Sequence, residues 1–106
     1  MGRQENEILR DFQEKISLRY PGSQIILFGS RARGDAGPQS DADVVVILRN
    51  PPSEADQEFI SDAAWEAGYP YGLVIVPVVF GLDEWENGPE RFSLLVQAIQ
   101  SEGIRL

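Results

Sequence analysis

Two aspartates, Asp41 and Asp43, stand two residues apart at the head of an apolar run, DADVVVIL. Side chains on a strand alternate between faces, so residues i and i+2 project the same way. Two carboxylates on one face repel each other unless a cation lies between them. Upstream, the apolar run QIILF ends in Gly29-Ser30. A glycine there lets backbone N–H groups approach a phosphate with no Cβ in the way. A helical turn opening at Ser30 adds free N–H groups and a dipole that favour an anion, and the Ser30 hydroxyl is a further donor. Arg31 and Arg33 follow. We read Arg31 as a phosphate ligand and Arg33 as pairing with a carboxylate to brace the loop. Mg²⁺ takes one or two protein carboxylates and fills its remaining positions with water and substrate phosphates. Asp41 and Asp43 are thus one half of a metal–triphosphate site, and the Gly-Ser turn on the neighbouring strand is the other.

The elements that must position these residues can be read from periodicity. Residues 5–19 carry Leu9, Phe12 and Ile16 at helical spacing. Tyr20-Pro21-Gly22-Ser23 is a stop and a turn. Gln24 to Phe28 is a short strand, and the polar stretch GSRARGDAGPQS is a loop with room for one helical turn. Residues 41–48 form a strand with apolar residues on both faces, which belongs in the centre of a sheet. Ser53 is an N-cap for a helix over 54–67, with Phe59, Ile60, Ala63, Ala64 and Ala67 on one side. Leu73 to Phe80 is a third strand, and Pro77 assigns it to an edge or bulge. Asp83 to Asn87 is a short helical turn. Glu90 to Gln100 is a last helix with Phe92, Leu95, Val96 and Ile99 inward. The order is that of an α/β fold, a small sheet covered by helices.

Composition narrows the chemistry. At 106 residues the chain is the size of one small domain, taken to span residues 1–106. An enzyme this small borrows something, such as a partner's surface. There is no cysteine and no histidine, which excludes disulfides, Cys/His zinc sites and His-based catalysis. Any metal is a hard cation held by oxygen, Mg²⁺ or Mn²⁺. The net charge of −8 repels nucleic acid and anionic lipid, so direct binding of long nucleic acid is not expected. No apolar run approaches the ~20 residues of a membrane span. The charged N-terminus has no signal-peptide core, which places the protein in the cytoplasm. Ser53 to Ala67 holds five acidic residues and no basic one. The plain reading is a solvated helix face, and the functional one is a docking surface for a basic partner. Trp65 and Trp85 are read as packing residues, although either ring could stack on an adenine.

The stretch GSRARGDAGPQSDAD resembles the Gly-Ser, ten residues, Asp-x-Asp signature of the nucleotidyltransferase superfamily related to DNA polymerase beta. The Gly-Ser-Arg-Ala-Arg-Gly variant, the chain length and the ending SLLVQAIQSEGIRL are similar to its minimal nucleotidyltransferase branch. The resemblance implies a small mixed β-sheet flanked by helices, with ATP or another nucleoside triphosphate as substrate and Mg²⁺ as cofactor. It implies transfer of a nucleoside monophosphate, AMP, to a hydroxyl, with pyrophosphate leaving. Carried over by position, Gly29 and Ser30 hold the triphosphate, and Asp41 and Asp43 hold the metals and serve catalysis. Many members of that branch are antitoxins beside a small helical ribonuclease toxin of the HEPN class, and some add AMP to it. Active members also carry a third carboxylate on a later strand. Here its place falls near Leu73 to Ile75, all apolar, and no acidic residue lies between Glu66 and Asp83. Asp83 and Glu84 are weak substitutes that would have to curl back. The resemblance therefore implies either a transferase that modifies a partner protein or a catalytically weak or inactive nucleotide-binding antitoxin that acts by occluding its partner.

Overall fold

The computed structural model describes residues 3–29, 32, 41–88 and 93–106. Helix α1 (Arg3–Arg19) buries Leu9, Phe12 and Ile16, the stripe set by their spacing. The chain turns at Gly22, whose φ of 83° a residue with a Cβ rarely adopts. Strand β1 (Gln24–Phe28) runs antiparallel to β2 (Ala42–Leu48), with Phe28 opposite Asp43. Helix α2 (Glu54–Gly68) and a 3₁₀ turn (Tyr69–Tyr71) lead to β3 (Ile75–Gly81), which returns parallel to β2. Helix α3 (Leu82–Asn87), helix α4 (Leu94–Glu102) and the two-residue strand β4 (Ile104–Arg105) follow. The sheet order is β3-β2-β1-β4. The architecture is α/β, a mixed sheet flanked by helices, and β2 is central as its apolar run requires. No helix of the described residues is long and apolar enough to cross a membrane.

Alternation along the strands separates two cores. Leu27, Val44, Val46 and Leu48 face α1 and α2. Ile26, Val45 and Ile47 face the other way, against Phe80, Trp85, Val96 and Ile99. Trp85 meets Phe80 edge to face, with ring centroids 5.3 Å apart. Pro77 sits on the edge strand. The Ala42 N–H donates to the Val74 carbonyl at 2.8 Å, so Val74 and Val76 turn their peptide groups toward β2. Pro77 turns its own outward, and its missing N–H costs no ladder bond.

Ser53 caps α2 in a reciprocal box. Its hydroxyl accepts from the Asp56 N–H at 3.1 Å, and Asp56 Oδ2 accepts from the Ser53 N–H at 2.9 Å. Asp56 Oδ1 also accepts from the Tyr20 hydroxyl at 2.8 Å, which ties the end of α1 to the start of α2. The Asp56 carboxyl is held below its ordinary value, first by the Ser53 N–H and then by the Tyr20 hydroxyl. Tyr20 is pushed up, first by burial and then by its bond to Asp56. Ser53→Ala should lower stability by about 1 kcal/mol, read as a lower urea midpoint at unchanged slope.

Three sequence expectations need correction. The expected start of the last helix at Glu90 lies outside the described residues; the helix is found at Leu94–Glu102, because Ser93 is its N-cap, with extended backbone and a hydroxyl that accepts from the Val96 N–H. That start buries Val96 and Ile99 but leaves Leu95 47% exposed; Phe92 lies outside the described residues. Phe59, expected on the inward side of α2, is partly exposed and packs edge to face on Tyr20 at 5.8 Å. The third strand starts at Ile75 and ends at Gly81, rather than Leu73 to Phe80.

Candidate functional site

Asp41 stands just before β2, exposed, and Asp43 lies within the strand, half-buried. Ala42 between them is fully buried toward α1 and α2. The two aspartates therefore share the opposite face, at the end of the sheet where β1 runs out. Gly29 follows Phe28 with φ of 79°. Its turn brings the backbone so close to Asp43 that a Cβ on Gly29 would stand 2.8 Å from Asp43 Oδ2. The glycine and the carboxylate, fourteen residues apart in the chain, are thus adjacent in space. Ser30, Arg31 and Arg33 lie outside the described residues.

Burial holds the Asp43 carboxyl above its ordinary value, and the charge of Asp41 raises it further. Neither aspartate has an ion-pair partner among the described residues. A cation placed against the pair would offset both effects, and two oxygen ligands suit a hard divalent ion. The residues present thus fit Mg²⁺ or Mn²⁺, with substrate phosphates and water completing the shell. Among the described residues no group of three or more acidic side chains is placed to hold a metal ion. The reason lies on β3. Val76 pairs with Asp43, and Val74 precedes it beside Asp41. Both project on the aspartate face, 49% exposed at Val74 and 37% at Val76. Leu73 and Ile75 are buried on the other side. The place for a third carboxylate is therefore apolar, and the parallel register adds Val76 to the range expected from sequence.

Asp83 and Glu84 do not curl back. They open α3, beyond the far end of β3. From Val76 to Gly81 the strand rises ~16 Å away from the aspartates. There Asp83 accepts from the Asn87 amide at 3.0 Å, and Glu84 accepts from the Gly81 N–H at 3.4 Å. Trp65 stacks on Tyr69 with centroids 4.6 Å apart and lines a groove of about 240 Å³ with Val74 and Val76.

Gly29→Ala should cost about 1–2 kcal/mol for the left-handed backbone. It should also push the Asp43 carboxylate aside. Denaturation would read the first effect, and a weaker Mg²⁺-induced rise in Tm would read the second.

Comparison with known proteins follows the same lines. A family model described as nucleotidyltransferase domain matches residues 6–106. Two proteins of Methanocaldococcus jannaschii, each provisionally named a protein adenylyltransferase, are similar in sequence. One is 32% identical over 90 residues, covering 76% of this chain and 91% of that protein. The other is 37% identical over 78 residues, covering 70% and 53%. Two crystal structures share the fold. One is a toxin–antitoxin with AMP-PNP, at TM-score 0.63 and 20% identity, covering 95% of this chain and 70% of that one. The other is a mutant of the toxin–antitoxin MntA–HpeT, at TM-score 0.59 and 18% identity over the same shares of 95% and 70%.

Proposed function

Because this chain belongs to the nucleotidyltransferase domain family, we propose that it moves AMP from ATP to a hydroxyl of a partner protein in the cytoplasm, as the antitoxin of a toxin–antitoxin pair. The observation that carries the reading is the Asp43 carboxylate lying against Gly29 with Asp41 beside it. The names of the two sequence relatives support protein as the acceptor, and the AMP-PNP complex of a fold neighbour supports a nucleotide. The whole of residues 1–106 acts as one domain. Gly29, Ser30 and Arg31 hold the triphosphate, and Asp41 and Asp43 hold the metal. The partner is a small helical ribonuclease toxin of the HEPN class.

In the step proposed, the acceptor oxygen attacks the α-phosphorus. The bond from that phosphorus to the bridging oxygen breaks, and pyrophosphate leaves. Mg²⁺ would supply charge neutralisation on the triphosphate as the transition state spreads negative charge. The turn and the two carboxylates orient the nucleotide for in-line attack. With no carboxylate on β3 beside the pair, the acceptor proton passes to water. That favours an acidic acceptor such as a phenol, whose pKa is about 10, over an aliphatic alcohol.

Val74 and Val76 also favour a second reading, a nucleotide-binding antitoxin that acts by occluding its partner. Label transfer separates the two. The protein is incubated with α-phosphate-labelled ATP, Mg²⁺ and the product of the adjacent gene, beside an Asp41→Ala/Asp43→Ala control. Label should appear on the partner and vanish in the control. An unlabelled partner, still bound by both proteins, would rule out transfer and leave occlusion.

A further inference from the structure

On the sheet face opposite the aspartates, α1 and α2 pack side by side and leave a groove of about 490 Å³. Its apolar part is Leu18, Phe59 and Ala63. Leu18 is 85% exposed and Phe59 38%. The rims are opposite in charge, with Lys15 and Arg19 on α1, and Asp62 and Glu66 on α2. Arg19 is held over the Phe59 ring, 5.9 Å from its centroid. Lys15 reaches across to Glu66 at 3.2 Å, with both side chains still 42% and 65% exposed.

We propose that this face is a self-association surface and that its occupant is a second copy of this chain. The charge pattern decides among occupants. A basic partner would be attracted to the α2 rim and repelled by the α1 rim, and an acidic partner would meet the reverse. A second copy related by a two-fold axis that lies in the interface, parallel to the two helices, exchanges the two rims. Its α1 lies over α2 of the first, and its α2 lies over α1. Lys15 and Arg19 of each copy then face Asp62 and Glu66 of the other, and the exposed Lys15–Glu66 pair joins a network. Leu18 of each copy reaches the groove beside Phe59 of the other and leaves water. Asp41 and Asp43 project from the other sheet face, so pairing leaves both copies' aspartates open. The inference does not rest on the proposed transfer reaction.

Sedimentation equilibrium of the intact protein is the test. The mass should climb from 11.8 kDa toward twice that value as concentration rises, and salt should shift it back. Leu18→Glu should hold the mass at 11.8 kDa with an unchanged circular dichroism spectrum, because that side chain is 85% exposed. Lys15→Glu/Arg19→Glu and Asp62→Lys/Glu66→Lys should each be monomeric alone and form a heterodimer when mixed. Wild type fixed at 11.8 kDa at every concentration, association of Leu18→Glu like wild type, or no heterodimer from the folded variants would overturn the proposal.

Discussion

Asp43→Asn should stabilise the protein in chelator and lower transfer by ~100-fold or more, about 2.7 kcal/mol of transition-state stabilisation. Both effects have one origin. Burial and the charge of Asp41 raise the Asp43 pKa, so folding opposes ionisation of this group. The sign follows from linkage. A carboxyl with a folded pKa above its unfolded value favours the fold while protonated, below about pH 4, and loses that contribution as pH rises through the folded pKa. Asparagine carries no charge to desolvate. The Tm gap between Asp43→Asn and wild type should therefore be absent at low pH and open as pH rises through the elevated pKa. Mg²⁺ should reverse the order, because the ion stabilises wild type and finds one ligand fewer in the variant. The same coupling makes Mg²⁺ affinity in wild type fall with pH, since the proton on Asp43 must leave before the ion binds. If Asp43→Asn in chelator melts no higher than wild type, strain at the carboxylate pair is disproved. Retained transfer would remove Asp43 from the chemistry. A stability gain joined to a loss of activity is the signature of a functional residue, one kept against the preference of the fold.

Much of the scaffold was legible because local signals agreed. Five apolar or strand-compatible residues bounded by turns marked β1 at Gln24–Phe28, where it is found. Ser53 marked the start of α2 as its N-cap, and that cap is present, with Asp56 completing a reciprocal box. Pro77 assigned its strand to an edge or bulge rather than the sheet centre, and β3 is an edge strand. Fitting the aspartates to one face needed only the period of a strand. What escaped depended on contacts distant in sequence. β4 has two residues, too few for any periodicity, and exists because Ile104 and Arg105 pair with β1. The Tyr20–Asp56 bond spans 36 residues. The inward face of the last helix was misread because Leu94, Leu95 and Val96 are all apolar, and only the Ser93 cap decides which turn inward. Gly29 was legible as the glycine that ends β1, but its closeness to Asp43 comes from the antiparallel register of β1 on β2.

Parity on β3 was the other missing piece, and it leads to the second large effect. Val74→Asp should raise transfer by on the order of 10²-fold, the lower end of what a positioned base contributes. Leu73 and Ile75 are buried toward α1 and α2, so a carboxylate at either would be entombed in the core. Val74 is 49% exposed on the aspartate face. Its carbonyl already accepts from the Ala42 N–H at 2.8 Å, which fixes the backbone beside Asp41. A carboxylate there joins Asp41 and Asp43 without burying a new charge. Three like charges repel, so the variant should melt lower than wild type in chelator. Mg²⁺ should raise its Tm by more than it raises that of wild type. Val76→Asp, opposite Asp43, is the matched comparison and should gain less, because Val76 is the less exposed of the two. Label transfer to the partner reads the outcome. If wild type labels slowly and Val74→Asp labels fast, the missing carboxylate limits a working transferase. If wild type does not label and Val74→Asp does, the chain is an occluding binder one side chain away from catalysis. If neither labels while both bind Mg²⁺ and the partner, the missing carboxylate is not what stands between this fold and the reaction, and the transfer reading fails with it.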